Sequence, residues 1–393
     1  SSINLLNAVK ISGRDKDGLG IGFLNAITER TTLNVQNQLT DTNREVVISP
    51  LTNYNVTVLD QRFNKNSSVT LINTNVTRDG SYRDANVTGI LFDLNTKKNT
   101  FNVSGDMKMS SVYDVGNNYN GYNTSFYIAE TSGKIRFSSG VNYVSKEFDN
   151  NDLGINFQTN YTSWSSNANY RILNPTKLFN TFRINLNSYF EYNNESGRIQ
   201  GSNFNFNFGG NNKKNHYLGG GFNYNPFKSY DYYEPRQDGK FVIYPETYGG
   251  NLYISTNYNN KFAIDINPYV TNTFEKDRYD YGVSISPRYR FSDRLSFIYS
   301  FDIFKQINNV GYIDNDATDI YFAKRNRDTF TNSISSKYSI NSNMNFNLTV
   351  RHYWSYAENN TIHTLNDNGT LTETLTYTNN KDSDFSTWNL DLS

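Results

Sequence analysis

Two runs of strict alternation on either side of a short turn make residues 328–356 the feature that most constrains the fold. Side chains of a β-strand point alternately to opposite faces, so each run has two faces of different character. In the second run one face carries Met344, Phe346, Leu348, Val350, His352, Trp354 and Tyr356, and the other carries Asn345, Asn347, Thr349, Arg351, Tyr353 and Ser355. Strands of about 13 residues outrun those of most globular proteins and are long enough to cross a bilayer at a tilt. The stretch therefore predicts a transmembrane β-hairpin.

The overall composition favours strands over helices as membrane-crossing elements. Only 36% of the 393 residues are hydrophobic and the mean hydropathy is −0.69, which is too polar for a helical membrane protein. No apolar run approaches the roughly 18 residues of a transmembrane helix. A barrel accommodates 31 Tyr and 27 Phe in so polar a chain, because half of each strand faces a watery lumen. The 37 basic and 37 acidic residues balance, which argues against a nucleic-acid partner.

Strand-like runs bounded by turn residues recur along the whole chain, and their connections differ in length. Tight turns at 259–260, 292–293 and 341–343 alternate with longer polar connections, which include 305–327 and 358–382; an earlier polar loop spans 29–52. Outer-membrane barrels have short periplasmic turns and longer extracellular loops, and aromatic girdles at both interfaces. We predict one domain, 1–393, folded as an antiparallel transmembrane β-barrel of roughly 18 to 22 strands with 20 as the best estimate. Trp354 and Tyr356 then belong to the outer girdle.

The two ends of the sequence lead to an expectation about processing. There is no initiator Met and no signal peptide at Ser1, so we expect a mature or trimmed piece of a longer protein. The absence of Cys suits a chain that crosses an oxidising periplasm.

Several stretches resemble the C-terminal barrel domain of a Bacteroidota outer-membrane family of uncharacterised function. They are LLNAVKISGRDKDGLGIGFLNAIT, NYNVTVLDQRFNKNSSVTLINTNVT, YYEPRQDGKF and RDTFTNSISSKYSINSNMNFNLTVRHYWSYAE. In that family the barrel follows an N-terminal β-sandwich similar to a family-nine carbohydrate-binding module. This sequence lacks the sandwich and the last part of the barrel, so the resemblance implies the fold and the outer-membrane location and assigns no sugar-binding residue.

Charged residues predicted to face the lumen carry mixed signs. They are Lys134, Arg136, Arg183, Glu191, Asp265, Arg288, Arg290, Asp302, Lys337 and Arg351. Mixed charges can line a pore or hold a plug by pairing across the wall, and they form no ring of a single sign. Pairing the strands 262–274 and 281–291 back from the connection near Lys276 predicts that Asp265 lies within pairing reach of Arg290 or Arg288.

Other candidate sites have a competing structural interpretation. Four residues of a loop, Tyr230, Tyr232, Tyr233 and Arg236, can stack on a sugar or a protein. We favour the alternative that these tyrosines pack within the loops or top the girdle. The run 314–319 clusters carboxylates as calcium loops do, yet its sixth position is Asp319 where an EF-hand needs Gly, which favours a solvated surface loop.

The sequence contains few residues of the types that catalysis commonly uses. The only histidines are His216, His352 and His363, which do not obviously converge, so we predict no enzyme, no cofactor and no metal. An enzyme would be favoured again if His352 lay beside a Ser and a carboxylate.

The sequence leaves two functions open. The first is a translocation pore or a membrane anchor and scaffold in the outer membrane of a Gram-negative bacterium, with lipid as its surroundings and glycans as a suggested solute or partner. The alternative is a plugged, structural subunit that assembles with other outer-membrane proteins. A soluble, secreted β-rich adhesin is the competing fold.

Overall fold

A computed structural model describes residues 4–37, 42–377 and 382–393. Every regular element among these residues is a β-strand. No helix with the length and apolar character needed to cross a membrane occurs in this part of the chain. The chain divides into two compact units, the first comprising Ser1–Ser166 with Glu191–Gly197 and the second Asn167–Phe190 with Arg198–Ser393.

The strands have the following bounds. The first unit contains β1 (Leu5–Arg14), β2 (Leu19–Thr28), β3 (Thr31–Asn37), β4 (Thr42–Ser49), β5 (Thr52–Phe63), β6 (Ser67–Arg78), β7 (Asp84–Asn95), β8 (Phe101–Asp114), β9 (Asn117–Glu130) and β10 (Ile135–Val144). The unit boundaries fall within β11 (Tyr161–Ile172) and β12 (Phe179–Asn193). The second unit contains β13 (Ile199–Asn212), β14 (Tyr217–Asn225), β15 (Ser229–Asp231), β16 (Val242–Tyr244), β17 (Thr247–Ser255), β18 (Phe262–Thr273), β19 (Tyr279–Arg290), β20 (Leu295–Asn315), β21 (Ile320–Asn341), β22 (Met344–Leu365), β23 (Leu371–Glu373) and β24 (Ser383–Leu392).

Antiparallel pairing of neighbours along the chain builds each unit. In the first unit the order is β1–β2–β5–β6–β7–β8–β9–β10, and in the second it is β13–β14–β17–β18–β19–β20–β21–β22–β24. Of the 24 strands in the described ranges, β3–β4 and β15–β16 form separate hairpins and the other 20 belong to the large antiparallel sheet structure. The predicted all-β, antiparallel architecture is therefore confirmed, whereas its closure into a transmembrane barrel stays a prediction.

The hairpin that anchored the sequence argument forms as expected. Strands β21 and β22 pair with Tyr338 opposite Phe346, Ile334 opposite Val350 and Phe330 opposite Trp354. Residues directly opposite in an antiparallel pair share a face, so these apolar side chains lie together.

The long polar loop expected at 305–327 is wrong, and the connection expected at 358–382 begins later, at 366, and contains β23; residues 378–381 lie outside the described residues. Strand β20 runs to Asn315 and β21 begins at Ile320, so only 316–319 connect them, and β22 continues to Leu365. The expected 29–52 loop likewise contains the β3–β4 hairpin. The extended ends of β20, β21 and β22 are polar in sequence, but they remain strands because apolar residues such as Val310, Phe322 and Ile362 become buried.

A buried apolar core lies at these extended strand ends. Val310, Ile320 and Phe322 pack with Val242 of β16, and Phe322 is completely buried. Tyr321, Ala323 and Ile362 form a second buried cluster on the other face of β21. The extended part of β20–β22 is thus covered on both faces, as in a soluble sheet.

Candidate functional site

The two faces of β13, β14 and β17 differ in chemistry and in exposure. Phe206 lies opposite Phe222, and Leu218 opposite Ile254, on one face. These side chains are exposed although they are large and apolar, with Phe222 at 50% and Leu218 at 54%. The opposite face carries asparagines and glycines.

Amide side chains hydrogen-bond to one another across the polar face. The Nδ2 group of Asn167 donates to Asn187 at 2.6 Å, that of Asn187 donates to Asn205 at 2.9 Å, and that of Asn205 donates to Asn223. An asparagine carries both a donor group and an acceptor atom, so such a row satisfies itself without any charge. We call these four residues the amide ladder.

A cavity of about 630 Å³ opens on this polar face, above Gly219 and Gly220. Its lining includes Asn207 and Asn251, and Tyr217 packs edge-on against Tyr253 with ring centroids 5.7 Å apart. A Cβ on Gly219 would lie 2.9 Å from the Tyr217 ring, so glycine makes room for that ring. Arg183, which the sequence places in the lumen, lines the same cavity.

The predicted ion pair of Asp265 with Arg290 or Arg288 is wrong. Asp265 lies opposite Ser286, and Arg290 instead binds the backbone carbonyls of the 258–260 turn. Pairing between β18 and β19 ends at Asn272 and Tyr279, so the turn is centred earlier than the sequence suggested. Within the described residues, no arginine lies within ion-pair distance of Asp265.

The carboxylate of Asp265 is bound by a tyrosine instead. The Tyr258 hydroxyl lies 2.8 and 2.7 Å from its two oxygens, and the Arg288 guanidinium lies 4.2 Å from the centre of the Tyr258 ring. The three side chains therefore form one cluster in which the ring separates the opposite charges.

The other charged residues predicted to face the lumen lie at scattered positions. Lys134 lies in the turn before β10, Arg136 donates to the Gly133 carbonyl, and Glu191 lies on β12. Asp302 accepts a hydrogen bond from Ser284. Lys337 lies opposite Ser296 and Asn347, and Arg351 lies opposite Ser333 and Asn389.

The four loop residues proposed to bind sugar or protein contact their own unit. Tyr230 and Tyr232 pack on Phe241, with ring centroids 5.5 and 5.2 Å away. Gln200 lies within 3.4 Å of the Tyr233 hydroxyl, and Arg236 lies 4.3 Å above the Tyr312 ring. The geometry agrees with packing inside the loop, the alternative that the sequence left open.

The acidic run 314–319 uses its central carboxylate to close a turn. Asp316 accepts the backbone N–H groups of Thr318 and Asp319, both at 2.8 Å, and the Tyr321 hydroxyl. These hydrogen bonds lower the pKa of Asp316. Across the described ranges, no group of three or more metal-ligating side chains converges.

His352 meets half of the condition set for an enzyme. Its Nε2 lies 3.1 Å from the Ser386 hydroxyl and its ring stacks on Trp388 with centroids 4.3 Å apart. The nearby carboxylate of Asp384 instead accepts a hydrogen bond from the Trp354 indole at 2.7 Å. A serine and a histidine without an orienting carboxylate do not make a triad.

A segment that the sequence pattern did not predict folds over part of the polar face of the first unit. In this 145–160 segment Phe148 is buried at 3% exposure, and its backbone lies against Gly121 of β9. The backbone N–H of Asp149 donates to the Ser110 hydroxyl at 3.0 Å. Ser110 and Gly121 lie opposite each other, on the face that also carries Lys108, so the segment covers this part of the polar face.

Ion pairs tie this segment to the connection between β6 and β7. Arg83 binds Asp149 and Asp152, each at 2.8 Å, and Arg78 binds Asp152 at 2.7 Å. Burial disfavours the ionised form of Asp149, but the hydrogen bonds from the Asn151 backbone and Arg83 outweigh it and lower its pKa. These ion pairs join residues far apart in sequence, so no local sequence pattern predicts them.

These features define an all-β protein built on a large antiparallel sheet with one exposed apolar face and one hydrogen-bonded polar face. The chain belongs to the family described as a domain of unknown function, DUF5916, whose model matches residues 1–393. No curated protein matches it.

Proposed function

We propose that this protein is an outer-membrane β-barrel of a Gram-negative bacterium that acts as a translocation pore or as a membrane anchor and scaffold. The observation that carries the proposal is the exposed apolar face. Met107 and Phe126 in the first unit, and Phe222, Leu218 and Leu252 in the second, are all at least half exposed. Apolar surface of this extent is unfavourable in water and favourable against lipid.

The lengths and ends of the strands support a membrane location. Nineteen of the 20 strands in the large sheet structure have nine residues or more, counted over the described ranges, and a tilted strand needs about that length to cross a bilayer. The rings of Trp354 and Tyr356 are nearly parallel, with centroids 6.3 Å apart. The Trp354 indole N–H donates to Asp384, and the Tyr356 hydroxyl donates to Asp382. An aromatic ring with a polar tip suits the membrane interface, as expected for a girdle.

The polar face of the second unit supports a role in passage. Its cavity combines tyrosine rings, amide groups and the Arg183 guanidinium, and such a surface can hold hydroxylated solutes by stacking and hydrogen bonding. We therefore retain glycans as the suggested solute.

A second candidate function rests on the 145–160 segment. Because it covers the polar face in the first unit and is fixed there by Phe148 and by ion pairs, it suits a plugged, structural subunit. In this case the loops would contact other outer-membrane proteins.

Two experiments test these proposals in turn. Membranes containing the protein are washed with alkaline carbonate, and we expect the protein to stay in the membrane until detergent is added. Release without detergent would contradict the membrane proposal and favour a soluble adhesin. Purified protein is then inserted in a planar bilayer, where steady open-channel conductance supports the pore and a silent protein that copurifies with partners supports the structural subunit.

A further inference from the structure

A second cavity, of about 400 Å³, lies at the extended ends of β20–β22 beside the β15–β16 hairpin. Part of its wall is apolar and is formed by Ile243, Phe274, Val310 and Leu371. If Met344–Tyr356 is the part of β22 that crosses the membrane, this cavity lies outside the bilayer. Ligand binding at this cavity does not depend on the pore or anchor role.

The charged part of the wall has an excess of positive charge. Lys324 Nζ lies 2.5 Å from one oxygen of Glu275, and an Arg278 guanidinium nitrogen lies 3.0 Å from the other. Two cations thus share one carboxylate. Burial raises the pKa of Glu275, but the hydrogen bonds from Lys324 and Arg278 lower it further than burial raises it, so Glu275 is ionised at neutral pH.

The remaining charges of the wall cancel. Lys228 and Glu246 both line the cavity and lie too far apart to form an ion pair. The wall as a whole therefore holds the cations Lys228, Arg278 and Lys324 against the carboxylates Glu246 and Glu275, which leaves one positive charge. Lys228 is exposed to solvent, whereas Lys324 and Arg278 are partly buried and share a single carboxylate, so a second anion beside them would be favourable.

A buried imidazole in the same wall has an unused hydrogen-bonding atom. His363 is 7% exposed, and its Nε2 lies 2.9 Å from the Thr361 hydroxyl. Its Nδ1 is buried and has no hydrogen-bond partner among the described residues. Burial and the charge of Lys324 lower the pKa of His363, so the ring is neutral at pH 7. Buried polar atoms are nearly always hydrogen-bonded, which makes this nitrogen a position for a ligand.

We propose that this cavity binds a small organic anion, namely a monocarboxylate with an apolar side. Its carboxylate lies against Lys324 and Arg278, and its apolar part lies against Phe274 and Val310. His363 forms a hydrogen bond to the ligand through Nδ1. The apolar wall and the single excess positive charge together select this class over neutral solutes and dianions.

Calorimetry on the full chain in zwitterionic detergent tests the proposal with phenylacetate and its neutral analogue phenylacetamide as probes. The two have nearly the same shape and differ in charge. We expect saturable binding of phenylacetate at one site and binding of phenylacetamide weaker by about tenfold or more, since a charge-assisted hydrogen bond is lost. No phenylacetate binding, or equal binding of both, would overturn the proposal.

Substitutions then locate the site. Lys324→Met should weaken phenylacetate binding about tenfold. The matched control is Lys305→Met, because Lys305 pairs with Asp328 at 3.0 Å with similar exposure and does not line the cavity. Glu246→Gln adds to the excess positive charge and should tighten binding, which provides a test even if Lys324→Met fails to fold. Equal affinity in both lysine variants, or no gain in Glu246→Gln, would contradict the assignment.

Discussion

The polar face of the sheet is covered around Gly121 in the first unit and open around Gly219 in the second. At Gly121 the missing side chain admits the backbone of Phe148, and ion pairs hold the 145–160 segment there. At Gly219 the missing side chain admits only the tip of the Tyr217 ring, and a cavity remains. Glycine therefore makes room for a backbone segment at Gly121 and for an aromatic ring at Gly219. In the first unit ion pairs hold the 145–160 segment across the polar face, whereas in the second unit the amide ladder lines the polar face and leaves it accessible.

Filling the space at Gly121 should have the largest effect. A Cβ there would lie 2.2 Å from backbone atoms of Phe148, which cannot move aside as a flexible side chain can. We expect Gly121→Val to displace the 145–160 segment and to lower the free energy of unfolding by about 3 kcal/mol, measured by urea denaturation in lipid. The control is Gly13→Ala, because a Cβ at Gly13 meets nothing within 4 Å. Equal stability of the two variants would show that Phe148 does not pack there.

Removing the Arg83 guanidinium, which binds the same segment, should have the next largest effect on the free energy of unfolding. In Arg83→Met, Asp149 and Asp152 lose their shared partner while their side chains stay only 18% and 10% exposed. We expect a loss of about 2 kcal/mol, below the full cost of breaking a buried pair because Arg83 is partly solvated. Arg62→Met is the control, since Arg62 is 63% exposed and lies 3.8 Å from Asp60. A loss no larger than that of the control would contradict a fastening role for Arg83.

Lowering the pH should destabilise the 145–160 segment of the first unit before it affects the amide ladder of the second. Asp149 has a folded-state pKa below its ordinary value of 3.8, so it stabilises the folded segment above that pH. This stabilisation is lost as the pH falls from about 3.8 through the lower folded-state pKa, because the carboxylate becomes protonated. Amides do not titrate, so the ladder lacks this dependence. Hydrogen-exchange protection factors, which correct for the intrinsic pH dependence of exchange, should therefore fall at 145–160 below pH 4 and stay constant around Asn205. An equal change at both places would remove the distinction between the two faces.

Breaking the amide ladder should have the smallest effect. Asn205→Ala removes the hydrogen bonds to Asn187 and Asn223, and we expect a loss of about 1 kcal/mol because water replaces part of them on an accessible face. Asn347→Ala is the control, because Asn347 is exposed and its side chain has no hydrogen-bond partner in the described part of the chain. Thermal unfolding of both variants in the same lipid measures the difference. If Asn205→Ala costs no more than its control, the ladder lines the face without stabilising it.

Sequence alone determined which side chains share a face within the strands that it predicted. In β13, Phe204 and Phe206 alternate with Asn203 and Asn205, and this period of two fixes which side chains share a face whatever the partner strand is. The hairpin of β21 and β22 was equally predictable, because a short turn between two alternating runs sets its register.

Only the tertiary structure decided how distant residues combine. The turn near Glu275 is centred by its own hydrogen bonds, which moved Asp265 away from Arg290, and strand patterning carries no information about such an offset. The polar ends of β20 and β22 remain strands because their apolar residues, among them Val310 and Leu365, pack in the cluster that contains Val242 of β16. The contacts of Arg83 with Asp149, and of Glu275 with Lys324, join residues 66 and 49 positions apart. Ion pairs of this kind depend on which chain segments the fold brings together. The alternation of side chains along a strand does not predict them.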